Sequence, residues 1–173
     1  MKLVPSMLLL AAFAAATLAG CDRAQTSTAV APVEITQGTS CALDGMLLVD
    51  YPGPKAQIHY AGQPAPDFFC DTVEMFNIYL QPEQARVVRA LYVQDMGKAD
   101  WDQPQGNWID AKNAFFVHGS KRRGSMGATI ASFALEADAA KFAAEYGGKV
   151  YRFAEVTPDM VILDGGALHD STM

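Results

Sequence analysis

The amino-acid sequence predicts an α+β fold of two similar ββαβ halves with antiparallel or mixed sheets. Strand-like and helix-like stretches follow one another in the same order twice, and each series closes near an Asp-Met pair, Asp95-Met96 or Asp159-Met160. Strands outnumber helices and few parallel crossovers are indicated, which favours an α+β arrangement over a parallel sheet. Placing Phe69 on Phe133 aligns the two series, so the sequence indicates a weak internal repeat.

The N-terminus has the features of a bacterial lipoprotein signal peptide. Lys2 precedes an apolar run, Leu8 to Leu18, that is too short to remain as a spanning helix. The run ends in Leu18-Ala19-Gly20-Cys21, which resembles the lipobox that directs lipidation of a cysteine and cleavage just before it. We therefore expect residues 1–20 to be a signal peptide and Cys21 to carry the lipid, with an ordinary signal peptide cleaved nearby as the alternative.

The next residues predict a flexible tether over 21–40, because they are rich in Ser, Thr, Ala, Gln and Pro and show no apolar period. The folded part is expected to comprise a first half at 41–100 and a second half at 101–160, followed by a mobile tail at 161–173. The whole chain carries a formal charge of −6, and this acidic balance argues against a nucleic-acid partner.

The first half is expected to contain strands separated by a Pro- and Gly-rich turn and followed by a helix. The helix runs from Thr72 to about Leu80, with Asp71 or Thr72 as its cap. Alternation of polar and apolar residues and β-branched or aromatic content indicate the strands. The expected strands are Met46–Val49, Gln57–Tyr60 and Val88–Gln94.

The second half repeats this order. Its Ala-rich helix, Glu136–Gly147, has apolar residues at helical spacing, and Gly147-Gly148 is typical of a helix C-terminus. The expected strands are Asn113–His118, Thr129–Ala134 and Val150–Phe153.

Sulfur-containing side chains are the candidate functional groups. Cys41 and Met46 lie five residues apart around an Asp-Gly pair that can turn the backbone. Soft sulfur ligands favour Cu(I) over harder divalent ions, so this spacing can begin a copper site. Cys70 is the only other cysteine once Cys21 is lipidated, and paired cysteines in an exported chain equally suggest a disulfide. The spacing leaves both interpretations open.

A series of motifs carries a resemblance to a known family. They are the lipobox, Cys41–Met46, Asp50–His59, Phe68-Phe69-Cys70, Tyr92–Gly97, Asp100-Trp101, Trp108–Ala111, Ser125-Met126-Gly127 and Tyr146-Gly147-Gly148. Together they resemble the NosL-type copper lipoproteins, which are accessory proteins of nitrous oxide reductase maturation. The likeness covers nearly the whole mature chain.

The resemblance implies a periplasmic Cu(I) carrier that delivers copper to apo nitrous oxide reductase, with a membrane assembly complex of the ABC type as a second partner. It implies attachment to the membrane by the lipid on Cys21, and the family favours the outer membrane, although Asp22 leaves the inner membrane open.

Catalysis is not expected, because no nucleophile, base and orienting group stand at a recognisable spacing. The alternative is a disulfide-stabilised lipoprotein that supports an assembly without binding metal.

A carrier needs two or three soft ligands in an open geometry, because an incoming ligand must reach the metal. Many family members have a second cysteine in the first motif, where this chain has Leu43-Asp44, so further ligands must come from elsewhere in the fold. Our first choice is Cys41 with Met46 and Met126, an arrangement in which copper bridges the two halves.

Three further residues are second-choice ligands. Cys70 fits a ligand, a disulfide partner or a small buried apolar residue. Met96 lies in an Asp-Met-Gly turn that suits a site, although methionine at a strand end often packs. His169, next to Asp170, could bind a second and harder metal such as Zn(II), which the resemblance suggests.

Overall fold

The computed structural model describes residues 30–163, in which two antiparallel sheets each carry one helix. The strands are β1 Ala56–Tyr60, β2 Asp67–Phe69, β3 Val88–Gln94, β4 Trp108–Asp110, β5 Phe115–His118, β6 Arg123–Gly124, β7 Gly127–Ala128, β8 Ala131–Phe133 and β9 Lys149–Arg152. The helices are α1 Thr72–Tyr79 and α2 Glu136–Tyr146. No helix in this part of the chain is long and apolar enough to cross a membrane. The predicted signal peptide, Cys21 and His169 lie outside the described residues.

The strand order confirms the α+β fold of two ββαβ halves. The first sheet has the order β2-β1-β3-β4 and the second has the order β8-β5-β9, with every neighbouring pair antiparallel. In each half the first strand therefore lies between the second and third strands. Phe69 ends β2 three residues before α1 begins, and Phe133 ends β8 three residues before α2 begins. Phe69 and Phe133 therefore occupy equivalent positions in the two halves.

The two halves share one hydrophobic core. Phe76 of α1 packs edge-on against Phe116 of β5, with ring centroids 5.0 Å apart, and Phe153 lies 5.2 Å from Phe76. A second cluster beneath α2 contains Trp101, whose ring stacks on Phe142. Burial of Phe76 against Phe116 and Phe153 therefore joins the first half to the second.

Several predicted elements differ in the structure. Met46–Val49 is not a strand, because Leu47 makes only a single bridge to Ser40 and Leu48–Asp50 is a 3-10 turn. The backbone reverses just before it, at Gly45 with φ +79°, so no long neighbouring strand is available for pairing. The strands β2 and β4 were not expected, and β4 lies within the predicted second half but extends the first sheet beside β3.

The predicted tether is ordered over its last residues. The backbone N–H of Val33 donates to the Gln57 side chain at 2.9 Å, and the Gln57 amide donates back to the Val33 carbonyl at 3.0 Å. The Tyr92 hydroxyl donates to the carbonyl of Val30, and Ile35 packs against Cys41 and Cys70. Residues 30–40 thus dock on the first sheet, because the buried Gln57 amide pairs with their backbone where composition alone suggested disorder.

Candidate metal centre

Cys41 and Cys70 are both buried, and both are free thiols. Their sulfur atoms lie with carboxylate oxygens of Asp44 and Glu74 in one group whose ligand atoms are all within 4.8 Å of one another. Two thiolates on one ion, each at a metal–sulfur distance of about 2.3 Å, lie within roughly 4.6 Å of each other. The spacing therefore suits a single soft ion held between the sulfurs.

Cys70 is positioned by the start of α1. It stands between the end of β2 and the helix cap Asp71, whose side chain accepts from the N–H of Val73 at 3.0 Å. Glu74 completes a capping box, because its carboxylate accepts from the N–H of Asp71 at 3.3 Å. The same carboxylate lies 3.3 and 3.4 Å from Cys70 Sγ. The capping box that begins the helix thus also places an acid beside the thiol.

Cys41 is positioned by a tight turn. Its N–H donates to the Met46 carbonyl at 2.8 Å, and its carbonyl accepts from the N–H of Gly45 at 2.9 Å. The neighbouring N–H of Ala42 donates to the Phe68 carbonyl at 2.7 Å, which ties the turn to β2. Cys41 Sγ then lies 3.3 Å from the Glu74 carboxylate. One carboxylate therefore contacts both thiols.

The thiols have different acidities. The Cys70 thiol donates a hydrogen bond that stabilises the Cys41 thiolate, which lowers the pKa of Cys41 to about 6 although burial opposes the change. The pKa of the Cys70 thiol is raised, because its proton is held in the hydrogen bond to Cys41 and because the group is buried. Burial, followed by the negative charge of Cys41, raises the pKa of Glu74 to about 7. The Cys41 thiol is therefore the more acidic of the two and the first to become a thiolate.

A fully buried lysine lies beneath the site. Lys55 Nζ donates to the carbonyl oxygens of Pro52 at 2.9 Å and of Cys70 at 3.1 Å. Burial lowers the pKa of Lys55 to about 8, against the opposing effect of nearby negative groups of which Asp71 is the largest. A buried ammonium needs such partners, and here it offsets negative charge close to the thiols.

Two methionines lie on segments that contact the thiol cluster. Met46 is half-buried and packs on the small cluster of Cys41, Leu48 and Cys70. Met126 is 46% exposed at the tip of the β6–β7 hairpin, and its neighbour Ser125 donates to the Cys70 carbonyl at 2.7 Å. The structure therefore brings the elements carrying the three first-choice residues together.

Glycine at position 124 allows the β6–β7 hairpin to lie close to the segment that carries Cys70. A Cβ on Gly124 would stand 2.2 Å from a carboxylate oxygen of Asp71 and 2.9 Å from Cβ of Thr129. On the hairpin's other side, a Cβ on Gly53 would stand 2.7 Å from Cα of Gly124. The β6–β7 hairpin consequently packs directly on the segment that carries Cys70.

The structure separates two of the second-choice residues, Cys70 and Met96. Cys70 lies at the centre of the group beside Cys41. Met96 does not join it, because its N–H donates to the Ser132 carbonyl at 2.8 Å and its side chain packs on the cluster beneath α2. His169 lies outside the described residues, so its role stays a prediction.

Sequence reasoning missed Glu74 and Lys55 and treated Asp44 only as a turn residue. An acidic cap followed three residues later by Glu is the signal of a capping box, and it would have placed Glu74 next to Cys70. No comparable signal marks Lys55, since a lysine in a Pro- and Gly-rich turn normally indicates exposure.

Comparisons with known proteins agree with this fold. The chain matches the NosL family profile over residues 32–161. The copper-binding lipoprotein NosL of Stutzerimonas stutzeri is 38% identical over 169 residues, covering 94% of this chain and 87% of the relative. That of Achromobacter cycloclastes is 41% identical over 157 residues, covering 88% and 81%. The crystal structure of the copper chaperone NosL from Shewanella denitrificans is 39% identical, with a TM-score of 0.71, and covers 76% of this chain and 98% of that one. The chain therefore belongs to the NosL family.

Proposed function

We propose that this protein is a lipid-anchored carrier of Cu(I) that delivers copper to apo nitrous oxide reductase. The observation that carries the proposal is the pair of buried, unbridged thiols, Cys41 and Cys70, of which one has a pKa lowered to about 6. Two thiolates are soft ligands that favour Cu(I) over harder divalent ions. Relatives named copper-binding lipoproteins and a solved copper chaperone support the choice of metal.

In this proposal Cys41 and Cys70 bind Cu(I), and thioethers complete the site. Met46 is packed against the thiols, whereas Met126 stands at the exposed hairpin tip. Thioethers bind without losing a proton, so Met126 can leave when a ligand of the recipient takes its place. Lys55 offsets the negative charge that two thiolates and one Cu(I) share. A second, harder ion such as Zn(II) would be bound by His169, next to Asp170, outside the described residues.

We place the carrier in the envelope of a Gram-negative cell, on the periplasmic side and held by a lipid on Cys21. The lipobox and the lipoprotein names of the relatives support this location. The membrane assembly complex of the reductase is the second proposed partner. The family favours the outer membrane, and Asp22 keeps the inner membrane as the alternative.

A copper-transfer assay tests the proposal. Protein loaded anaerobically with one Cu(I) is incubated with apo nitrous oxide reductase, the two are separated, and copper on the reductase is measured. We expect transfer from the wild type, transfer from Met96→Leu as a matched control outside the site, and loss of both loading and transfer in Cys41→Ser. Stable loading without any transfer would contradict delivery, and failure of the reduced protein to load would favour the disulfide-stabilised scaffold.

A further inference from the structure

Three of the seven large apolar side chains that are exposed in the described part of the chain lie on the segments that carry or contact the two thiols. Among the described residues, Leu43 and Leu47 are 43% and 40% exposed in the turn that carries Cys41, and Met126 is 46% exposed on the hairpin that contacts Cys70. The N–H of Leu43 lies against Cys41 Sγ, at 3.4 Å. Apolar side chains grouped in this way around a site are typical of an interaction surface.

We propose that Leu43, Leu47 and Met126, with Arg123 at their edge, form the docking surface for the protein that accepts the copper, and that the partner presents an apolar patch bordered by acidic side chains. This inference rests on the proposed function and adds to it the contact surface and the chemistry of the partner. We refer to these four residues as the docking surface.

The direction of approach follows from access to the metal. Cu(I) passes between proteins by exchange of ligands, so a donor of the recipient has to reach the ion. Cys41 and Cys70 are buried and Met46 is half-buried, whereas Met126 and the Asp44 carboxylate are exposed. A recipient therefore approaches over the hairpin tip and the Asp44 turn, and it then covers Leu43 and Leu47 as well. Burial of these side chains away from water favours the encounter complex.

Charged residues are unevenly distributed along the described part of the chain. Residues 111–163 contain seven Lys or Arg against five Asp or Glu, whereas residues 30–110 contain four against eleven. The basic run Lys121-Arg122-Arg123 leads directly into the hairpin.

Within this run the three side chains have different surroundings. Arg122 lies over the rings of Trp101 and Tyr146, at 4.5 and 5.0 Å from the ring centroids. Lys121 and Arg123 are exposed. An acidic border on the partner would complement Arg123 and bring the recipient to the hairpin, and it is expected on the hairpin side only, because the exposed Asp44 lies between Leu43 and Leu47 in the turn.

The experiment compares binding of Cu(I) with its transfer. The variants are Leu43→Ser/Leu47→Ser and Arg123→Glu, which leave the proposed ligands in place. Their controls are Leu135→Ser, at a 58% exposed apolar residue at the start of α2, and Lys141→Glu, a charge reversal on the exposed face of that helix. Cu(I) affinity is measured by competition with a chelator, and the transfer rate to apo nitrous oxide reductase is measured at low and high ionic strength.

We expect unchanged Cu(I) affinity in every variant. Transfer from the double leucine variant should be about tenfold slower, as for the loss of an apolar contact in an interface. Transfer from Arg123→Glu should be slower at low ionic strength, and the difference should shrink at high ionic strength, since salt screens exposed charges. Both controls should transfer at the wild-type rate.

Three results would overturn the inference. Wild-type transfer rates in both variants, or equal losses in the controls, would remove the docking surface while leaving copper delivery intact. Unchanged transfer together with loss of a concentration-dependent dimer would assign the surface to a second copy of the chain. A wild-type protein that binds Cu(I) but transfers none would overturn delivery, and the docking surface with it.

Discussion

At the scale of single residues, the candidate site belongs to only one copy of the repeat. When Phe69 is placed on Phe133, Cys70 corresponds to Ala134 and Glu74 corresponds to Asp138. The first half thus has a thiol and a buried carboxylate where the second half has a methyl group and a half-exposed acid. The repeated fold supplies a helix start at the same place twice, but only the first has a side-chain cap, and its residue types decide that it alone can bind a soft metal.

The unequal acidities of the thiols predict how many protons Cu(I) binding releases. Above its lowered pKa of about 6, Cys41 is already a thiolate, so binding at pH 7.0–7.5 should displace about one thiol proton, that of Cys70, instead of two. Below about pH 6 both thiols carry protons, and the apparent affinity should fall more steeply with pH. Titration calorimetry in buffers of different ionisation enthalpy measures the total number of protons released, and the same titration of Glu74→Gln removes the contribution of this carboxyl group, whose pKa is about 7.

The Cys70→Ala variant is the control for this prediction. It removes the thiol that donates to Cys41, so the pKa of Cys41 should rise towards its ordinary value. Release of two thiol protons by the wild type near pH 7.5 would show that Cys41 is not ionised beforehand.

At the scale of elements, the helix α1 and the β6–β7 hairpin build the site between them. Asp71 caps the helix and also accepts from the Thr129 hydroxyl at 2.7 Å, so the helix start and the link between β7 and β8 share one carboxylate. The helix itself followed from the sequence, because the cap and the apolar spacing are local signals. The hairpin did not, because its two-residue strands depend on packing against distant residues.

Asp71→Ala should lower the free energy of unfolding by about 2 kcal/mol or more, since a lost helix cap costs about 0.5–2 kcal/mol and the buried Thr129 hydroxyl also loses its acceptor. Asp71→Asn keeps an acceptor oxygen and should cost less. Denaturant unfolding of both variants measures the difference. Equal losses would show that the negative charge, and not the acceptor oxygen, stabilises the helix start.

The pH dependence of stability gives a second signature of Asp71. Burial raises its pKa to about 6, above its ordinary value of 3.8, so the folded state binds its proton more tightly than the unfolded state does. The stability from this group is fully present below pH 3.8 and is lost as the pH rises through about 6. The Asp71→Asn variant should lack this component, and a pH profile unchanged by the substitution would contradict it.

Gly124→Ala should move the hairpin away from the thiols. The new methyl group would stand 2.2 Å from the Asp71 carboxylate, and overpacking of this kind costs about 1–3 kcal/mol. We expect a lower melting temperature and weaker Cu(I) binding, because Met126 shifts with the hairpin. Gly38→Ala is a matched control, since no atom lies within 4 Å of its Cβ position. Unchanged Cu(I) affinity in Gly124→Ala would exclude Met126 as a ligand.

At the scale of the whole molecule, the two halves and the N-terminal segment form one framework around the thiols. The sequence predicted the fold class, because strand alternation and helical spacing are local and the repeat supports them. It named Cys41, Met46 and Met126 as first-choice ligands and Cys70 as a second-choice ligand or disulfide partner. It did not predict Glu74 beside both thiols, nor the buried Lys55, since these contacts join segments that only the folded chain brings together. The docking of residues 30–40 was missed for the same reason, as Gln57 is their distant partner.

Removal of the docked N-terminal segment should weaken the fold and expose the thiols. A protein that begins at residue 37 lacks both hydrogen bonds between Val33 and Gln57 and the packing of Ile35 on the thiol cluster. Compared with a protein that begins at residue 30, it should lose about 2 kcal/mol of unfolding free energy, and its thiols should react faster with a maleimide. Equal stability and equal thiol reactivity would show that this segment does not cover the site.

Anaerobic titration of the reduced protein with Cu(I) tests the proposed copper site most directly. Cu(I) is added in competition with a chromophoric chelator, and free thiols are counted beforehand. Cys41→Ser and Cys70→Ser are titrated beside the wild type, and Met96→Leu serves as the control. We predict two free thiols in the mature domain, tight binding of one copper per chain, and a large loss of affinity in each serine variant but not in the control. A protein with no free thiols that retains no copper, or serine variants that bind Cu(I) as tightly as the wild type, would contradict the account.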